Sequence, residues 1–200
     1  MTKSKLDNST RLIDIEQLER RFGFIKNEII TENIAIKMQH ISFLRSLESS
    51  YELPGTITYS VFQTIIVYTA SILECLIHYK LDELIRSGRI QEENIMGKEI
   101  QYVNSKEIYV ISNVEKICGA KRILKAKRLS DNTNLNDLNR AAKRSGLFTN
   151  ELFGQAEKIR KMRNRIHTYG LKEVDDKYSK KDIDGLFGIS KQIIDRIESY

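Results

Sequence analysis

Two hundred residues, 40% of them apolar and 30% charged, suffice for one domain with a sizeable core, and with Cys75 and Cys118 as the only cysteines they exclude a small disulfide scaffold. So few cysteines, and an N-terminal MTKSKLDNST without the apolar run of a signal peptide, lead us to expect a reducing, cytoplasmic setting. The formal net charge is +6, yet fourteen Lys and Arg stand against four acids between residues 116 and 169, so the rest of the chain is net acidic; a surface for a polyanion and a lysine-rich solvated face both fit that distribution.

Proline occurs once, in YELPGT at Pro54, and separates two patterns. Upstream, Ile15, Leu18, Phe22, Ile25 and Ile29 follow three-four spacing, and a shifted stripe continues through Ile34, Ile41, Phe43, Leu44 and Leu47. This predicts a helical arm or helical hairpin over residues 11–50, within an N-terminal unit of residues 1–55. Pro54-Gly55 breaks it, and Thr56 or Thr58 is expected to cap a second long helix that stops near Arg86, where Ser87-Gly88 gives the stop signal. That helix is apolar almost all round and belongs at the centre of a bundle. Its most hydrophobic run, TIIVYTASILECLI, is interrupted by Glu74 and too short to span a bilayer, so no membrane is expected.

Residues 89–112 alternate weakly, with Asn104-Ser105 placed to turn one short β-hairpin. From NVEKICGAKRILKAKRL the spacing reads as helix, with Val114, Ile117, Ile123 and Leu124 apolar and Lys121, Lys125 and Arg128 in a basic row. After a loop at SDNTNLND, a helix is expected over about 135–145, then a break at Gly146. The next helix is capped by Thr149 or Asn150 and ended by Gly170. A last helix carrying Ile183, Leu186, Phe187, Ile193, Ile194 and Ile197 closes an all-α domain of residues 56–200.

The stretch RKMRNRIHTYG, residues 160–170, carries the chemistry. On one helix Arg160, Arg163, Asn164 and His167 fall at i, i+3, i+4 and i+7, in a sector about 100° wide. Ile159, Met162, Ile166 and Tyr169 form the adjoining apolar stripe, while Lys158, Lys161 and Arg165 point to solvent. Two neighbouring guanidiniums repel, and a bound phosphate relieves that repulsion. A histidine on the same face completes a set suited to cleaving RNA without metal or cofactor: neutral imidazole takes the 2′-hydroxyl proton, and guanidinium stabilises the extra charge on phosphorus. The plainer reading is a capping histidine near a helix C-terminus beside arginines paired elsewhere. RNA contacts are expected from Lys121, Arg122, Lys125 and Arg128, and Glu74, a carboxylate on an apolar helix, is expected to pair with and orient a motif arginine.

RKMRNRIHTYG resembles the signature helix of the HEPN superfamily, in which an Arg, commonly followed by a polar residue such as Asn, precedes a His with four to six residues between. YSVFQTIIVYTASILECLIHYKL resembles the long apolar helix of that family, with Glu74 as its embedded acid. Arg160 and His167 fit the spacing, whereas the Arg-Asn pair is Arg163-Asn164 with three residues before His167, which leaves open which arginine does the work. The resemblance implies a HEPN-like helical bundle and a metal-independent endoribonuclease that dimerises so that two motifs face one cleft, or a member that has lost catalysis and binds RNA or protein. It also implies a toxin or antiviral defence setting. Tyr169 stands where HEPN toxins are adenylylated by a nucleotidyltransferase antitoxin.

Other constellations are weaker. Glu74 and His78 lack the spacing and the second copy of a di-iron bundle, Cys75 with His78 falls short of a zinc site, His40 has no ligand partner, and no glycine-rich phosphate loop exists. A coiled-coil assembly protein built on residues 11–50 is a third reading.

Overall fold

The computed structural model describes residues 12–166 and 178–200. In chain order these form α1 (Ile15–Arg21), α2 (Glu28–Ser50), α3 (Gly55–Arg86), α4 (Glu92–Met96), β1 (Lys98–Val110), β2 (Lys116–Ala126), α5 (Leu135–Arg144), α6 (Asn150–Arg165) and α7 (Lys180–Ser199). The described fold is thus mostly helical with one antiparallel hairpin.

Helix α3 organises the bundle because its apolar residues cannot be covered from one side. Ile65, Ile66, Leu73, Leu76, Ile77 and Leu81 are all fully or almost fully buried on it, and α2, α5, α6 and α7 all pack against it. By length and composition α3 could cross a bilayer, unlike the shorter run read from the sequence, but more than half of its apolar window is buried against the other helices. It opens at Pro54 with no side-chain cap, so the expected threonine cap is not formed. Thr58 Oγ1 instead donates back to the carbonyl of Pro54 at 3.3 Å.

Within the stretch read as helical, the described residues form two helices, α1 and α2. Asn27 restarts the helix by accepting the Ile30 N–H. Phe22, Ile25, Ile34, Ile41 and Leu44 join the core that α3 centres, and Arg21 binds Asp195 and Glu198 of α7 while Arg45 binds Asp184. Ile29, counted in the apolar stripe, is exposed.

The largest departure lies between residues 98 and 126. NVEKICGAKRILKAKRL does not form a helix; most of it is strand β2, paired with β1 from Lys98↔Ala126 to Val110↔Lys116. Gly119 disfavours helix, Ile117 and Ile123 favour strand, and the alternation of KICGAKRILKA matches that of KEIQYV opposite. Asn104-Ser105 is not the turn. Asn104, at φ 55°, sits in a bulge between Val103 and Lys106, and the chain reverses at Ser112–Glu115, where Ile111 N–H meets the Glu115 carbonyl at 2.9 Å. Gly119 leaves room for Ile108 to lie across β2: a Cβ there would come within 2.7 Å of the Ile108 side chain.

Candidate functional site

Helix α6 is set by its N-cap. Gly146, at φ 79°, turns the chain out of α5; Leu147 and Phe148 bury, and Thr149 Oγ1 accepts the Leu152 N–H at 3.1 Å. Leu152, Ala156 and Ile159 then face the core, which fixes where Arg160, Arg163 and Asn164 point. The helix runs to Arg165 with Ile166 as its C-cap, and Tyr178 Oη donates to the Met162 carbonyl at 2.9 Å. The helix thus ends short of the stop expected at Gly170, and His167 and Tyr169 lie outside the described residues.

The two arginines differ in their surroundings. Arg160 is gripped by Glu157, one turn earlier: its Nε donates to both carboxylate oxygens at 3.0 and 2.9 Å, and a terminal nitrogen donates at 2.8 Å. Glu157 is held from the other side by Asn139, fully buried on α5, whose amide donates to Oε1 at 2.8 Å. Burial pushes the Glu157 carboxyl up, but the hydrogen bonds from Arg160 and Asn139 and the charges of Arg160 and Lys161 outweigh it and hold the group below the usual carboxylate range. The same contact keeps the Arg160 guanidinium more firmly protonated. Its fork is therefore occupied.

Arg163 faces a cleft of about 1320 Å³ between α3, the start of α2 and the loop of residues 129–134. It makes no ion pair with another described residue. Glu74 lines the same cleft, half-buried, but no ion pair joins it to Arg160 or Arg163, so the expected pairing is corrected: Arg160 is taken by Glu157, and Arg163 lines the cleft with Glu74 without an ion pair between them. His78, one turn along from Glu74, places Nε2 3.1 Å from the Ser130 carbonyl. A carbonyl only accepts, so Nε2 carries the proton, and the contact ties the loop wall to α3. Cys75, also in the wall, has its thiol pushed up by burial, with Lys37 opposing and Glu74 adding to the shift, which makes it a poor nucleophile. The cleft is mixed in charge: Glu74, Asp82, Glu83 and Asp131 face it with Lys26, Arg86 and Arg163, and of these Asp82 already binds Arg86.

The basic row expected on one helix is dispersed. Lys121 and Lys125 alternate with Arg122 along β2 and so lie on the opposite face of the ribbon from it. Arg128 is turned back to Glu92, Oε2 to Nη1 at 2.5 Å, at the hairpin's root. Burial raises the Glu92 carboxyl, but hydrogen bonds from Arg128 and the Leu129 N–H bring it below its ordinary range. Asn164 is exposed on α6.

Sequence reasoning missed Asn139 and Glu157. Glu157 stands three residues before Arg160, a spacing that pairs side chains on a helix, and Asn139 interrupts the apolar stripe of α5 four residues after Leu135; both signals were present. No family model, curated protein or solved structure matches the chain.

Proposed function

We propose that this protein is a metal-independent endoribonuclease of the HEPN type, a toxin or an effector of antiviral defence. The observation that carries the reading is the position of Arg163: a guanidinium without an ion pair to another described residue, on the last turn of α6, at the wall of a cleft large enough for several nucleotides. His167, four residues on, takes the 2′-hydroxyl proton, and Arg163 stabilises the charge that builds on the phosphorus oxygens. The departing 5′-oxygen needs an acid, so a two-fold dimer brings a second His167 to the reaction. The test is incubation of the purified protein with single-stranded RNA in EDTA. Cleavage persists without divalent metal and is lost in His167→Ala; loss of cleavage in EDTA, or an undiminished His167→Ala, overturns the mechanism.

A second reading, a silent HEPN-like module that binds RNA or protein, is favoured by one observation: Glu157 occupies the fork of Arg160, the arginine whose spacing to His167 fits the family motif. Under it the protein binds RNA and leaves it intact.

A further inference from the structure

The hairpin is built unlike the rest of the molecule. Ile100, Tyr102, Ile108, Tyr109, Val114 and Leu124 are all exposed, Tyr102 at 67% and Leu124 at 64%. Two strands alone are marginal in water, so so much exposed apolar surface calls for an occupant. The charge of β2 says which. It carries Lys116, Lys121, Arg122 and Lys125 and no acid; Lys116 is bound by Glu107 at 2.7 Å, while the other three form no ion pair with a described residue. A second copy laid along this edge would set cations against cations, and the β1 edge is interrupted by the Asn104 bulge and by a second irregularity at Glu107/Tyr109, both of which hinder pairing with another strand.

We propose that the β1–β2 hairpin is a docking arm for single-stranded RNA, in which a base stacks on Tyr102 beside its cross-strand neighbour Arg122 while Lys121 and Lys125, on the other face of the ribbon, neutralise phosphates where the strand wraps the free edge of β2. The proposal rests on the ribonuclease reading for its ligand and adds the strandedness of that ligand and the surface that selects it. The register places Tyr102 directly opposite Arg122 and Ile100 opposite Leu124 on the same face, an exposed ring flanked by a guanidinium and aliphatic surface. A base offers its flat face to such a platform only when it is not stacked within a duplex. The arm is also joined to the cleft. Its root is fixed by Lys127, which donates from its backbone to the Gly97 carbonyl at 3.0 Å and from its side chain to Asp137 at 2.8 Å. The chain then runs into Leu129 and Ser130, which wall the cleft that Arg163 faces. The eight steps of chain from Lys121 to Leu129 reach at most about 26 Å, so a strand of several nucleotides held on the arm is long enough to extend to the cleft.

The experiment uses the full chain with His167→Ala, so that RNA survives, and measures fluorescence anisotropy with a labelled single-stranded RNA twelve-mer and with the same strand in a duplex. The proposal expects tighter binding of the single strand. Tyr102→Ala combined with Arg122→Gln weakens that binding roughly tenfold or more and removes the preference over duplex, whereas Tyr102→Phe retains both. Lys121→Gln with Lys125→Gln lowers the slope of log affinity against log salt by about 1.4, the value for two phosphate contacts on a single strand. These side chains are exposed, so circular dichroism and the oligomeric state stay unchanged. Equal affinity of parent and both double variants, a preference for duplex, or a shift from dimer to monomer in the hairpin variants overturns the proposal, the last result assigning the arm to a second copy. RNA binding without cleavage by the native protein defeats the ribonuclease and leaves the arm; cleavage with hairpin variants that bind normally does the reverse.

Discussion

Helix α3 and the β1–β2 hairpin draw on the same aliphatic residues and put them to opposite uses. Leu76 on α3 is wholly buried; Leu124 on β2 is 64% exposed. On α3 the apolar residues surround the helix, and four other helices cover it. On the hairpin they alternate with lysine and arginine, and no other described element packs extensively on the ribbon. Apolar content alone therefore does not mark the core. The basic residues interleaved with it decide which segment is held inside and which is offered outward.

Truncating one leucine in each region should give the largest contrast. Leu76→Ala should cost about 2–5 kcal/mol, the transfer term plus the cavity left under α3. Leu124→Ala should stay within roughly 0.5 kcal/mol. Urea unfolding followed by circular dichroism reads both, and a large loss at Leu124 would mean that the hairpin is covered in solution. Next in size is Asn139→Ala, which strips Glu157 of its buried amide donor and should cost about 1–3 kcal/mol in the same assay.

A smaller effect concerns acid. Glu157, Glu92 and Asp182 all have folded pKa values below their ordinary ones: Glu157 and Glu92 against the opposing effect of burial, and Asp182 through its hydrogen bonds with Ser179 in the α7 capping box. A depressed carboxylate stabilises the fold fully above its unfolded pKa, and that contribution is lost as pH falls through the folded value. Stability should therefore decline as the pH drops below the ordinary carboxylate range. In Glu157→Gln the decline should be shallower, which unfolding at stepped pH would show. An unchanged slope would mean that the Arg160–Glu157 contact contributes nothing to the acid response.

The same contrast explains what could be read in advance. Helices α2, α3, α5, α6 and α7 were legible because the three-four spacing coincides with real burial, as at Ile34, Ile41, Leu135, Leu138, Ile183 and Ile193, and because Pro54, Gly146 and Thr149 punctuate the chain. Strand β2 was not legible as strand. Ile117, Ile123 and Leu124 fit helical spacing about as well as alternation, and the partner that decides between them, β1, lies across a turn whose position was misread. At the site, the shared sector of Arg160, Arg163 and Asn164 followed from α-helical geometry. Their different employment did not, because it depends on Asn139, which reaches Glu157 from another helix.

The two arginines of α6 divide the labour at the site. Arg163 faces the cleft, and Arg160 is held by Glu157, so steady-state cleavage of a single-stranded RNA should be compared for Arg163→Lys and Arg160→Lys. Lysine keeps the charge and removes the planar fork. The expected result is a fall in kcat of about tenfold to a thousandfold for Arg163→Lys, as for loss of one preorganised transition-state donor, with a much smaller fall for Arg160→Lys and little change in binding for either. If Arg160→Lys is the more damaging, then Arg160 rather than Arg163 contacts the reacting phosphate, its contact with Glu157 is broken when RNA binds, and the role given to Arg163 at the cleft is contradicted.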